Sequence, residues 1–282
     1  MSFSTLVSYA TLAEHLNDPD WRIFDCRHQL ANLDYGQQAY AAGHLPGAFF
    51  LHLDRDLSSP MNGHNGRHPL PDPALLAHKL GLAGVTEQTQ VVVYDDAGGM
   101  VAARLWWMLR WLGHARVALL DGGLARWVGE GRPLSCAAPH SAPAVFSIAG
   151  AAQRGALVSA DEIQASIGAS TLCLIDARAP DRFRGENETI DPIGGHIPGA
   201  RNRFFRDNLD EDGFFRSPAE LRGAFSALLA GAPPSQAAVY CGSGVSACHN
   251  LLAMEIAGLS GARLYAGSWS EWCSDGARPV AR

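Results

Sequence analysis

The sequence predicts a tandem pair of α/β units, each a parallel β-sheet with helices on both faces. Three observations carry that expectation. A chain of 282 residues, 47% apolar and 18% charged, is long enough for two domains of ~150 residues and has the hydrophobic side chains to fill two cores. It repeats itself at offsets of 145 to 152 residues, far too long a period for a solenoid and the right length for a duplicated domain. Within each copy, short uninterrupted apolar runs alternate with helical patterns, as strands buried on both faces of a parallel sheet require.

Five landmarks recur in one order. Asp25-Cys26-Arg27 ends an apolar run, as Asp176-Ala177-Arg178 does. Gly43-His44-Leu45-Pro46-Gly47-Ala48 returns as Gly195-His196-Ile197-Pro198-Gly199-Ala200. The run 91–95 matches 237–241, the stretch from Asp121 to Trp127 matches that from Ala266 to Trp272, and Arg132-Pro133 matches Arg278-Pro279. These divide the chain into a first domain at 1–135, a linker at 136–156 rich in Ala, Ser, Pro and Gly, and a second domain at 157–282.

In the first copy, 22–24 and 91–94 read as strands, 101–112 as a helix and 117–120 as a strand. In the second, Ser159 followed by Asp161 and Glu162 marks a helix start. Residues 172–175 then read as a strand, 218–229 as a helix, 237–240 as a buried strand, 247–256 as a helix and 262–265 as a strand. In such sheets, chemistry belongs at the carboxyl ends of the strands.

The formal charge of −6 leaves no bulk basic field for a nucleic acid or an anionic membrane. No apolar run approaches the ~18 residues of a membrane span, and the first 16 residues have no signal-peptide pattern. Six cysteines without a C-x-x-C pair or zinc-type spacing suit a cytoplasmic protein with no metal site. Only Lys79 among the 22 basic residues is not Arg, so an anion site would be built from arginine.

One loop differs between the copies. After the 91–94 strand the chain reads Asp95-Asp96-Ala97-Gly98-Gly99; after 237–240 it reads Cys241-Gly242-Ser243-Gly244-Val245-Ser246-Ala247 and enters a helix directly. Gly242 and Gly244 allow a tight curl that aims backbone N–H groups at one centre, and the helix start adds its own unpaired amides. Such a cup favours a thiolate, which makes Cys241 the candidate nucleophile. Cys26 and Cys273 read as packing residues, and Cys248, one helical turn beyond Cys241's loop, as buried or auxiliary.

These elements resemble the two-domain rhodanese superfamily, and within it the 3-mercaptopyruvate sulfurtransferases, over nearly the whole chain. The family loop reads Cys-Gly-Ser-Gly-Val-Thr, and here Ser246 keeps the hydroxyl of the Thr. The resemblance implies tandem rhodanese-like domains of which the first is inert, with Asp95 at the nucleophile position. It implies a sulfurtransferase that moves sulfur from 3-mercaptopyruvate through a Cys241 persulfide to cyanide or a thiol, such as that of a thioredoxin-like protein. Neither metal nor organic cofactor takes part. It further implies a Cys–Ser–Asp arrangement of Cys241, Ser243 and Asp34. Gly242, Gly244, Val245 and Ser246 would line the donor, and Arg182 would hold its carboxylate through a fork-shaped guanidinium. The family's second Arg is missing from 186–192, and Arg184 or a first-domain residue such as Arg67 is the candidate to replace it. Arg178, His44 and His196, whose motifs occur in both copies, read as structural.

Three rival readings remain. A phosphatase would need an Arg six residues after Cys241, where Ala247 stands. A thiosulfate sulfurtransferase typically carries Arg and Lys after the Cys, where this chain has Gly242 and Ser243. A non-enzymatic persulfide carrier for a protein partner would use the same thiolate cup.

Overall fold

The computed structural model describes residues 2–148, 154–169 and 171–282, and the chain divides into two compact units. The first comprises Met1–Ser59, Pro71–Gln153 and Asp212–Phe214; the second comprises Pro60–Leu70, Arg154–Glu211 and Phe215–Arg282. The division thus cuts across sequence order, because Pro60–Leu70 lies within the first copy yet packs with the second unit. Part of the expected linker, 149–153, falls outside the described residues. Its earlier part lies on the first unit, where the Ala144 N–H donates to the Gly81 carbonyl at 2.8 Å and Phe146 is buried edge-on to His114.

The first unit runs β1 (Leu6–Val7), α1 (Tyr9–Glu14), β2 (Trp21–Asp25), α2 (Tyr35–Ala42), β3 (Ala48–Phe50), α3 (Leu53–Asp56), α4 (Pro73–Leu82), β4 (Gln90–Tyr94), α5 (Ala102–Trp111), β5 (Val117–Leu120) and α6 (Gly123–Gly129). The second runs α7 (Ala160–Ser166), β6 (Cys173–Asp176), α8 (Pro180–Phe183), β7 (Arg201–Asn202), α9 (Pro218–Leu229), β8 (Ala237–Tyr240), α10 (Ala247–Ile256), β9 (Arg263–Leu264) and α11 (Ser268–Trp272). All pairings are parallel, in the orders β1-β5-β4-β2-β3 and β7-β6-β8-β9. An isolated parallel bridge from Leu157 to Leu264 stands where β1 pairs in the first unit, so the two sheets share one order.

Every residue of β4 and of β8 is buried, which is why these strands read as unbroken apolar runs. The expected helix start at Ser159 is a full capping box with Glu162, and Ser217 with Glu220 repeats it behind Pro218. Each such cap contributes on the order of 1 kcal/mol.

The repeated landmarks are mainly structural. Asp25 and Asp176 grip Arg27 and Arg178, whose Nη2 atoms donate to the Gly43 and Gly195 carbonyls at 2.7 and 2.6 Å. Trp127 and Trp272 are fully buried, and their indole N–H groups donate to the Pro133 and Pro279 carbonyls at 2.9 Å. Arg132 and Arg278 lie over those same rings. His44 and His196 bond the Tyr40 and Phe183 carbonyls through Nδ1 at 2.8 Å and stack on the same two residues. That is the turn-fixing role expected of them. Among the described residues no helix is long and apolar enough to cross a membrane.

Candidate active site

The loop after the fourth strand of the first unit shows what this curl does. Asp95, buried at its start, accepts hydrogen bonds from four backbone N–H groups. Oδ1 takes those of Ala97 and Gly99 at 2.9 and 2.8 Å, and Oδ2 those of Val101 and Ala102 at 2.8 and 2.9 Å. Gly98 and Gly99 supply the positive φ angles that turn those amides inward. The first unit therefore contains a backbone anion cradle already filled by its own carboxylate.

The same loop in the second unit carries Cys241, 2% exposed, at the position of Asp95. Its backbone is anchored alike: the Trp269 N–H donates to the Cys241 carbonyl at 3.0 Å, as the Leu124 N–H donates to that of Asp95 at 3.1 Å. The Ser270 N–H likewise holds the Gly242 carbonyl at 2.9 Å. At the repeat offset, the cradle amides of Ala97, Gly99 and Val101 become those of Ser243, Val245 and Ala247. Gly244 has φ of +75°, and a Cβ there would collide with the Ala266 carbonyl oxygen. Ser268, with φ of +55°, stands where the first unit has Gly123. A serine in this region costs of order 1 kcal/mol or more. Its hydroxyl accepts the Cys241 N–H at 3.1 Å and donates to the Tyr265 carbonyl at 2.9 Å. The strain thus holds the start of the loop in place.

Ser243, buried beside the thiol in sequence, has a partner that sequence reasoning missed. His68 Nδ1 lies 2.7 Å from Ser243 Oγ, with both residues buried. His68 sits in Pro60–Leu70, outside every repeated landmark and 175 residues from Ser243. Only its Gly66-Arg67-His68-Pro69 setting, a polar cluster in a loop, marked it in sequence.

Arg182 and Arg67 flank the loop. A Cβ placed on Gly242 would lie 2.9 Å from Arg67 Nη2 and 3.7 Å from both terminal nitrogens of Arg182. Gly242 thus leaves room for the Arg67 guanidinium, while the positive φ of the loop falls on Gly244 and not on Gly242. Arg182 and Arg67 are each held by a carboxylate. Arg182 binds Glu188 through Nε and Nη2 at 2.8–3.0 Å and reaches Asp191 at 3.3 Å; Arg67 Nη1 pairs with Asp191. Burial alone would raise Glu188, but donors from Arg182 and the Asp191 and Ile190 amides outweigh it and hold its carboxyl below the usual range. Asp191 is pushed up, chiefly by burial, although Arg67 and Arg182 pull the other way.

Val245 is buried and Ser246 stands at the N-cap of α10. Cys241, Gly242, Ser243, Gly244, Val245, Ser246, Arg182 and Arg67 thus come together in the second unit. Arg184 does not join them: it is exposed and forks onto Glu186 at 2.7–2.8 Å. Asp34 belongs to the first unit, 68% exposed and 3.8 Å from Arg55. Cys26, Cys248 and Cys273 are buried, the Cys248 thiol donating to the Gly244 carbonyl at 3.4 Å, and burial raises the Cys273 thiol to about 11. Among the described residues one cluster of metal-ligand type, His28, His52 and Asp54, lies in the first unit. Both His52 ring nitrogens are engaged, Nδ1 by the Asp54 N–H and Nε2 by the Leu33 carbonyl.

A family model described as a rhodanese-like domain matches residues 8–130 and 159–275. A probable 3-mercaptopyruvate sulfurtransferase of Pseudomonas aeruginosa is 50% identical over 283 residues, covering 100% of this chain and 99% of that protein. A thiosulfate sulfurtransferase of Bos taurus is 34% identical, covering 96% of this chain and 92% of that one. The solved 3-mercaptopyruvate sulfurtransferase of Leishmania major superposes with a TM-score of 0.83 at 32% identity, over 95% of this chain and 74% of that one.

Proposed function

The chain belongs to the rhodanese-like domain family, and from that premise we propose that it is a sulfurtransferase acting on 3-mercaptopyruvate through a persulfide on Cys241. One observation carries the reading. The anion cradle that holds the Asp95 carboxylate in one copy has a thiol, Cys241, at the same position in the other. A thiolate and a persulfide anion are both stabilised by such amides.

The Cys241 thiolate attacks the donor sulfur and the sulfur–carbon bond breaks. The electron pair leaves on carbon as pyruvate enolate, and a Cys–S–S⁻ persulfide remains. The donor's thiol proton ends on the enolate carbon, giving pyruvate. Ser243 and His68, 2.7 Å apart, are suited to relay that proton. Arg182, whose terminal nitrogens stand against Gly242, would hold the donor carboxylate. An acceptor thiolate then attacks the outer sulfur, leaves as its own persulfide and restores the Cys241 thiolate, a ping-pong cycle of thiol exchange. Cyanide does the same and leaves as thiocyanate. The natural acceptor is a thiol, for which a thioredoxin-like protein is suited. We place the reaction in the cytoplasm, a reducing compartment in which six cysteines with no C-x-x-C pair stay thiols.

Thiosulfate is the second donor to consider, since thiosulfate sulfurtransferases are among the similar proteins. The uncharged Gly242 and Ser243 beside the nucleophile argue against a dianion as the preferred substrate. The test is sulfur transfer to cyanide and to a thiol from each donor, with Cys241→Ser beside the parent. Transfer from 3-mercaptopyruvate with the higher kcat/KM, abolished in Cys241→Ser, is the expected result. A higher kcat/KM for thiosulfate would reverse the donor assignment, and activity retained in Cys241→Ser would remove the mechanism.

A further inference from the structure

Three arginines and three carboxylates lie in one connected network beside the Cys241 loop. Arg178 pairs with Asp176 at 2.7 Å and reaches Glu188 at 3.4 Å, Arg182 is forked on Glu188, and Asp191 touches both Arg182 and Arg67. The formal charges cancel. Arg178 is buried and committed to the Gly195 turn. Arg182 and Arg67 instead stand against Gly242, next to the nucleophile, with side chains 19% and 24% exposed. Arg67 also has a buried Nε with no hydrogen-bond partner among the described residues. It borders a cavity of about 270 Å³ shared with Met61, Gly66, Ile190, Asp191 and Ser270. A guanidinium not fully matched by protein acceptors, on a residue that lines a cavity, can take a further acceptor from a ligand.

We propose that Arg67 is a second donor-binding cation of the site, and that Asp191, which bridges Arg67 and Arg182, is the carboxylate that a donor's own anionic group must displace or outbid. Asp191 thereby sets the preference between singly and doubly charged donors. The proposal rests on the sulfurtransferase reading above and names the residues that select its substrate. The chemistry is competition for two guanidinium forks. A planar carboxylate matches the group it replaces, oxygen for oxygen. While Asp191 stays ionised in place, its charge repels any incoming anion, and a dianion feels that repulsion twice over. Burial already pushes the Asp191 carboxyl up, so its ion pairs only partly offset its desolvation and it is the more readily displaced. Arg67 thus supplies in space the second cation missing from 186–192.

The experiment uses the full chain with Asp191→Asn, Arg67→Gln and Arg67→Lys. KM and kcat are measured for 3-mercaptopyruvate and for thiosulfate. In parallel, the rate at which uncharged iodoacetamide modifies the Cys241 peptide is followed by mass spectrometry, with pyruvate or sulfate added as unreactive protecting anions. Asp191→Asn is expected to lower the protecting concentration of pyruvate about threefold. That of sulfate falls about tenfold, since doubling the charge squares the factor. The two donors' KM values move in the same proportions, with kcat changed by less than about twofold. Arg67→Gln shifts all four quantities the opposite way, and Arg67→Lys, which keeps the charge but loses the fork, falls between. Unchanged constants in Asp191→Asn, or an equal shift for monoanion and dianion, would overturn the proposal. Arg67→Gln, a change at a partly exposed side chain, decides alone if Asp191→Asn does not fold: unchanged protection by both anions overturns the proposal. The protection arm needs no turnover, so a parent protein inactive with both donors sinks the sulfurtransferase reading without touching the anion-site result.

Discussion

Asp95→Asn is the sharpest test of the cradle, because it keeps the shape of the side chain and removes only its charge and half its acceptors. Asp95 receives four backbone N–H groups at 2.8–2.9 Å, two on each oxygen. An asparagine has one acceptor oxygen, so two amides would face an NH₂ group. Hydrogen bonds to a charged acceptor are worth ~1.5–3 kcal/mol each, so two of them come to about 3–6 kcal/mol. Part is returned, because burial pushes the Asp95 carboxyl up and a neutral amide escapes that cost. The expected net loss is about 3 kcal/mol. Urea unfolding followed by circular dichroism reads the loss, and hydrogen exchange of the 96–105 peptide locates it. Added formate should restore protection to Asp95→Ala more than chloride does, since it returns a carboxylate to four donors. An Asp95→Asn protein less than 1 kcal/mol weaker than its parent, with normal exchange at 96–105, would mean that the cradle does not depend on an anion. Cys241 would then lose the feature that suits it to hold an anionic sulfur.

Other outcomes follow from the second unit. Ser243→Ala and His68→Asn should each lower kcat by roughly 10²-fold with little change in KM, and the double variant should be no worse than either alone, as for a single relay; additive losses would separate them. Asp34→Asn should leave kcat within about twofold, since an exposed carboxylate near Arg55 is a solvated ion pair. A hundredfold loss would instead place Asp34 in the relay that the Cys–Ser–Asp resemblance implies. Glu188 is held below its ordinary value, so the stability it contributes is present above that value and is lost as pH falls through its folded pKa. Glu188→Gln should therefore lower Tm at pH 7 and leave a shallower acid limb below about pH 4.5. An unchanged acid limb would show that Arg182 does not hold Glu188 in solution.

Much of the architecture was legible in the residues because it is local or periodic. The unbroken runs of β4 and β8, the capping box at Ser159 and the duplicated Trp–Pro and Asp–Arg landmarks each show in a window of a few residues. The structure explains them by burial and short-range hydrogen bonds. The Cys241 loop was legible for the same reason: glycines, a helix start and a thiol are consecutive.

What sequence could not show were the partnerships made at long range. His68 reaches Ser243 across 175 residues, and Arg67 reaches Asp191 across 124. Pro60–Leu70, which brings both, packs with the unit to which its place in the chain does not assign it. Nor could one-dimensional spacing show that Glu188 and Asp191 point at the arginines. Sequence alone was enough for two copies of one parallel α/β unit and for a thiol at the start of a glycine-rich loop, since backbone propensity, burial period and loop glycines act between neighbours. Tertiary structure alone decided which histidine, arginine and carboxylates stand beside that loop, because hydrogen bonds and ion pairs are set by distance in space.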